Sequence, residues 1–121
     1  MSARIISIAG RALLALLFIL AGVAKIAAPQ GTLDQMAAHH IPGLLLPVVI
    51  LLELAAGAAL LLGWQLRYAA GALALFCIAT ALGIHLDLAD RIERTLFLKD
   101  IALAGALIFI AANARQSLTT S

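Results

Sequence analysis

Four ionisable side chains lie within or beside the long apolar runs of this sequence: Lys25, Glu53, His85 and Lys99. A charged group in the hydrocarbon region of a bilayer costs at least about 2.5 to 3.5 kcal/mol, so each one needs a partner, a route to the headgroups or a function. A lysine and a carboxylate can form an ion pair, and a histidine adds a group that titrates near neutral pH. The four residues therefore predict a polar pocket inside an apolar protein.

Glu53 gives the strongest signal, because it is the only charge in its apolar run. At a rise of about 1.5 Å per residue it lies roughly 9 to 14 Å along its helix, which buries it on either count. A buried acid is functional by default, and a neutral packing group with a raised pKa is the alternative. For Lys25 and Lys99 the alternative is snorkelling to the headgroups without function. For His85 it is a simple interfacial or hydrogen-bonded role.

The sequence contains few residues that could bind a metal ion or a redox cofactor. Cys77 is the single cysteine, so neither a disulfide nor a CxxC motif can form within the chain, and it is predicted to be an apolar filler. Haem or zinc would need several ligands, yet His85 is the only histidine inside or beside a predicted span. His39 and His40 fall in a loop, and Arg11 is predicted to snorkel to the opposite membrane face. We expect no intrinsic cofactor and no metal site.

The composition places the chain among integral membrane proteins. Of its 121 residues 64% are hydrophobic and 12% charged, and the mean hydropathy is +1.12, whereas soluble domains are roughly 45–50% apolar and 25% charged. A fold of this size cannot hide so much apolar surface from water. The net charge is +2, but the basic residues are scattered, so a nucleic-acid partner is not expected.

Four apolar runs are each long enough for the roughly 20 residues that a membrane-spanning helix needs. The predicted spans are residues 5–28, 44–63, 66–86 and 96–113. We therefore expect an all-α, up-and-down bundle of four transmembrane helices that forms a single domain over residues 1–121. A cleaved signal peptide is the competing interpretation of the first run. Arg11 interrupts that run, and it is longer than the roughly 7 to 15 apolar residues of a signal peptide.

Two of the connections carry helical signals. Residues 32–40, with Thr32 as the cap, predict a short interfacial helix in the first connection. Residues 87–94 predict another in the third connection, because acids precede arginines there by four positions. Four spans place both termini on one face, and the lysines and arginines divide equally between the two faces. The basic N-terminus, with Arg4 and Arg11, favours cytoplasmic termini.

Several short motifs together resemble the DoxX family of small bacterial membrane proteins. The motifs are FILAGVAK (Phe18 to Lys25), LELAAG (Leu52 to Gly57), ATALGIH (Ala79 to His85) and FLKDIALAGALI (Phe97 to Ile108). Their order and spacing cover most of the chain, and the resemblance implies a four-helix protein of the bacterial inner membrane. Asp100 stands where family members often carry Asn. It can therefore pair locally with Lys99 and compete with a bridge between Lys99 and Glu53.

The resemblance also implies an accessory or anchoring subunit of a quinone-linked sulfur or thiol oxidoreductase complex. A quinone would then lie near the pocket, and a partner subunit would carry flavin, thiols or metal, since this chain shows no redox centre. The alternatives are a small proton-coupled transporter, in which Glu53 takes up a proton, and a structural assembly factor. Each of these interpretations is compatible with a homo-oligomer.

Overall fold

The chain forms helices connected by short turns. The computed structural model describes residues 2–120, with side chains up to residue 114. The helices are α1 (Ala3–Ala27), α2 (Pro29–Ala38), α3 (Leu46–Leu62, preceded by a 3-10 turn at Gly43–Leu45), α4 (Leu66–Ile84) and α5 (Arg91–Thr120). Within the described residues, α1, α3, α4 and α5 are long and apolar enough to cross a membrane. The predicted all-α fold with four spanning helices is confirmed.

Local sequence signals explain where the spanning helices begin and end. The Ser2 hydroxyl caps α1 by accepting a hydrogen bond from the Ile5 N–H at 3.2 Å. Pro47 lies in the first turn of α3, where its missing N–H costs nothing. Gly63 ends α3 in the left-handed conformation at φ 76°, and Gln65 follows at φ 50°. These two residues reverse the chain into α4.

The first connection contains the predicted surface helix, but the helix begins earlier than predicted. It starts at Pro29 rather than at a Thr32 cap, because proline is preorganised for the first helical position. The third connection contains no separate helix. Its chain turns before Asp90, whose carboxylate accepts a hydrogen bond from the Glu93 N–H at 3.3 Å and so caps α5. The polar residues from Arg91 onward are therefore the first turn of the fourth spanning helix.

The spanning helices pack in an arc rather than in a closed ring. α1 packs against α3, α3 against α4 and α4 against α5, while α1 and α5 share few close contacts in the described part of the chain. We call the gap between these two helices the α1–α5 seam. Small residues such as Ala59, Ala70 and Ala104 dominate the core, around Leu60 and Leu73. Small side chains let membrane helices approach closely, because lipid supplies no hydrophobic force between them.

Candidate functional site

Two glycines bring α1 and α3 into close contact. A Cβ atom on Gly22 would lie 2.8 Å from Leu54 Cδ2, and one on Gly57 would lie 3.0 Å from Ile19 Cγ1. Real side chains cannot approach so closely without a shift of the neighbour. The missing side chains at both positions therefore leave room for Leu54 and Ile19 to pack directly against the opposite helix.

The same crossing positions an ion pair. Lys25 lies about one turn after Gly22 on α1, and Glu53 about one turn before Gly57 on α3. Lys25 Nζ lies 2.7 Å from Glu53 Oε1, and the exposed fractions of the two side chains are 21% and 3%. Among the described residues, no hydrogen-bond donor other than Lys25 reaches Oε1. The contact is thus a close ion pair between a partly exposed ammonium and a buried carboxylate.

His85 lies between two carboxylates of α5 at the end of α4. Its Nδ1 lies 2.8 Å from Glu93 Oε2, a hydrogen bond in which the ring N–H donates. Its Nε2 lies 3.7 Å from Asp100 Oδ2, which is too long for a direct hydrogen bond. The ring itself is buried. His85 therefore lies between two partly exposed acids and is hydrogen-bonded to Glu93 only.

The ion pair and His85 share one cavity of about 460 Å³. Lys25, Glu53, His85 and Asp100 contribute ionisable groups to its wall, and much of the remaining wall is apolar, including Phe18. Ligand pockets for small molecules are commonly about 300 to 1,000 Å³ and combine apolar walls with a few polar groups. The cavity has this character, and it is partly open.

Three of the four residues singled out in the sequence meet at this cavity. Lys25, Glu53 and His85 form part of its wall, whereas Lys99 is exposed and does not. Asp100 takes the place expected for Lys99, because successive residues of a helix point about 100° apart. The ion-pair partner of Glu53 is Lys25.

Comparison with known proteins establishes the family. The DoxX family model matches residues 6–86, more than half of the chain. This chain belongs to the DoxX family. It is also similar to the inner membrane protein YqjF of Escherichia coli (strain K12), with 38% identity over 101 residues, which are 84% of this chain and 78% of that protein. No solved structure shows a significant match to the chain.

The family match and the spanning helices together define the cellular setting. This DoxX protein is a multi-pass protein of the bacterial inner membrane, and its outer surface contacts the lipid bilayer. The matched range contains Gly22, Lys25, Glu53 and His85 but ends before Asp100. The ion pair between α1 and α3 therefore lies inside the matched range, and the acids of α5 lie beyond its end.

The remaining candidate residues of the DoxX protein have simpler settings. Cys77 is buried and contributes to the cavity wall. His39 and His40 are exposed, and His39 Nδ1 lies 2.9 Å from the Gln35 carbonyl oxygen. Across the described range, no three or more His, Cys, Asp or Glu side chains are grouped to hold a metal ion. Glu93 was missed in the sequence, because the start of α5 was expected to be a separate surface segment.

Proposed function

We propose that this protein is an accessory or anchoring subunit of a quinone-linked sulfur or thiol oxidoreductase complex, and that its cavity accepts a quinone headgroup. The observation that carries the proposal is the partly open cavity, whose wall includes Lys25 of α1 and Asp100 of α5 on the two sides of the α1–α5 seam. A lipid-soluble ligand that entered through the seam from the bilayer would meet the apolar part of this wall. Its apolar tail can stay in the seam.

The wall residues fit the chemistry of a quinone. Phe18, Phe76 and Leu103 provide apolar surface for a ring. Lys25 provides N–H donors for a carbonyl oxygen. A bound quinone would supply an acceptor for two electrons and two protons. The residues of this chain would orient its headgroup and hold protons next to it.

The electron source must be a partner protein. The sequence contains one cysteine, Cys77, which cannot form a dithiol within the chain. A partner with a flavin or a reactive dithiol would therefore supply the two electrons, and the present chain would supply the membrane anchor and the quinone site. The resemblance to DoxX proteins supports this division of roles.

A binding experiment with a matched pair of lysine variants tests the quinone site. The purified protein in nanodiscs would be titrated with short-chain ubiquinone and menaquinone analogues. Lys25→Met removes a donor from the cavity wall, and Lys99→Met removes an exposed lysine from the neighbouring part of the bundle. A charge-assisted hydrogen bond is worth about 1.5 to 3 kcal/mol, so we expect roughly a tenfold or larger loss of affinity for Lys25→Met only. Absence of binding by the unmodified protein would reject the quinone site.

Co-purification from native membranes, followed by mass spectrometry, tests the subunit role. A flavoprotein or a thiol-handling enzyme in the eluate supports the oxidoreductase complex. A lone homo-oligomer that changes the pH or solute content of liposomes would instead favour a proton-coupled transporter. The buried Glu53 would be the proton site of that transporter. Glu53→Gln should then abolish transport while the protein still inserts.

A further inference from the structure

A second crevice lies at the other end of the α1–α5 seam, where α1 begins. Its volume is about 330 Å³. Gly10, Arg11 and Leu14 form the α1 side, and Phe109 and Ile110 are on the α5 side. The crevice is mostly apolar, with a single charged side chain on its wall, so its shape and polarity suit a molecule with a long apolar part and one anionic group.

The position of the Arg11 guanidinium is set by the end of α3. A Cβ atom on Gly63 would lie 2.5 Å from Arg11 Nη1, so the guanidinium lies directly against this glycine. Trp64 and Tyr68 follow within the same turn of the chain and are exposed, as in the aromatic belts at membrane interfaces. The guanidinium therefore lies at the level of the lipid headgroups, although its backbone lies deeper in the span.

Arg11 has no counter-ion among the residues whose side chains the structure describes. Among the described residues, no carboxylate lies within ion-pair distance of it, and its guanidinium makes no hydrogen bond. The six acidic residues of the sequence lie near the middle of the bundle or toward its other end: Asp34, Glu53, Asp87, Asp90, Glu93 and Asp100. The negative end of the α3 dipole at Gly63 provides only a partial charge. Within the described part of the chain Arg11 is therefore a cation without an acidic partner, and it can attract an anion from outside the protein.

We propose that this crevice binds one phospholipid with an anionic headgroup. The phosphate accepts hydrogen bonds from the Arg11 guanidinium, whose planar arrangement of donors matches phosphate oxygens. One acyl chain lies in the α1–α5 seam beside Leu14 and Phe109. An anionic headgroup is preferred to a zwitterionic one, because the ammonium of the latter offsets the attraction of its own phosphate to Arg11. The Asn113 amide is not the anchor, since its NH₂ already donates to the Phe109 carbonyl at 2.8 Å.

Native mass spectrometry of the full chain in detergent tests the headgroup contact. Phosphatidylglycerol and phosphatidylcholine would be titrated against the unmodified protein, Arg11→Gln and Arg67→Gln. Arg67 is the matched control, because it is exposed at the same end of the bundle and lies outside the crevice. We expect one tightly retained phosphatidylglycerol, a roughly tenfold loss of its affinity in Arg11→Gln and no change in Arg67→Gln. Equal retention of both lipids, or equal loss in both variants, would overturn the proposal.

A second pair of variants tests the acyl-chain contact without altering the charge. A side chain at Gly10 would meet open space within 4 Å, so Gly10→Leu can fill the crevice without a clash. Gly105 is equally open but is not part of the crevice wall, which makes Gly105→Leu the control. Gly10→Leu should displace the lipid and Gly105→Leu should not. Binding of inorganic phosphate at millimolar concentration, with no retention of phosphatidylglycerol, would show a free-phosphate site and would reject a lipid site.

Discussion

Lys25 Nζ and Glu53 Oε1 lie 2.7 Å apart, yet the lysine is partly exposed and the glutamate is almost completely buried. Removal of the lysine should therefore affect the stability of the protein differently from removal of the glutamate. Lys25 can move its ammonium toward the headgroups, because its stem is flexible and it lies near the end of α1. Glu53 lies in the interior of α3 and has no comparable route.

We predict that Lys25→Met destabilises the protein more than Glu53→Gln does. Loss of the lysine leaves a buried carboxylate without a counter-charge, which should lower the free energy of unfolding by about 3 kcal/mol. Glu53→Gln should lower it by about 1 kcal/mol. Chemical unfolding in detergent micelles measures both values. Lys99→Met is the control and should change little, and the Lys25→Met, Glu53→Gln double variant should recover most of the loss.

The α1–α3 crossing provides a second prediction. Gly57→Leu places a side chain against Ile19, and overpacking of this kind should lower the free energy of unfolding by about 1 to 3 kcal/mol. Gly71→Leu on α4 meets open space and should be neutral or stabilising by up to about 1 kcal/mol. Thermal unfolding of the two variants in the same detergent makes the comparison. A similar fall in both would show that the crossing is not tightly packed.

The hydrogen bond between His85 and Glu93 should hold the turn that connects α4 to α5. Glu93→Ala removes the acceptor of the His85 Nδ1–H bond, so the backbone amides between these residues should exchange faster, by roughly tenfold if the bond contributes about 1.5 kcal/mol. Hydrogen–deuterium exchange followed by mass spectrometry measures this change. Asp87→Ala removes an exposed acid from the same turn and should leave the exchange rates unaltered. Unchanged exchange in Glu93→Ala would contradict the role.

We predict that the isolated protein carries no haem, flavin or metal and shows no disulfide exchange activity of its own. Cys77 is a single buried thiol, so Cys77→Ala should leave complementation of a deletion strain intact. An absorption spectrum and a metal analysis of the purified protein test the first part. A stoichiometric visible chromophore would disprove it.

Both termini are predicted to be cytoplasmic. Four spans bring them to one face, and Arg4 and Arg11 near the N-terminus favour retention of that face in the cytoplasm. Paired C-terminal fusions to alkaline phosphatase and to green fluorescent protein should be inactive and fluorescent, respectively. An active phosphatase with a dark fluorescent protein would reverse the orientation.

The cavity could be predicted in part, because alternating spans bring the end of one helix beside the start of the next. That rule alone places Lys25, Glu53 and His85 in one half of the bundle, where the structure has them. It cannot choose between Lys99 and Asp100. The choice depends on how α5 is rotated about its own axis, and that rotation is set by packing against α4.

Helix ends and helix crossings could be predicted less well from the sequence than the cavity residues. Asp90 caps α5, but the acids and arginines around it also fit a separate surface helix, and only the path of the chain distinguishes the two. Gly22 and Gly57 lie in the motifs that resemble DoxX proteins, yet a single sequence does not show that they face each other. Their role depends on α1 and α3 crossing at the level of these two glycines, and only the tertiary structure determines that crossing.

The arc of helices also bears on how the protein is made. Each spanning helix packs mainly on the span that precedes or follows it in the chain, and α1 and α5 share few contacts. Contacts between elements close in sequence form quickly, because only a short loop must close first. The first three spans can thus assemble while the ribosome is still synthesising the fourth. α5 then docks onto the exposed side of α4, and its arrival requires no rearrangement of the helices already inserted.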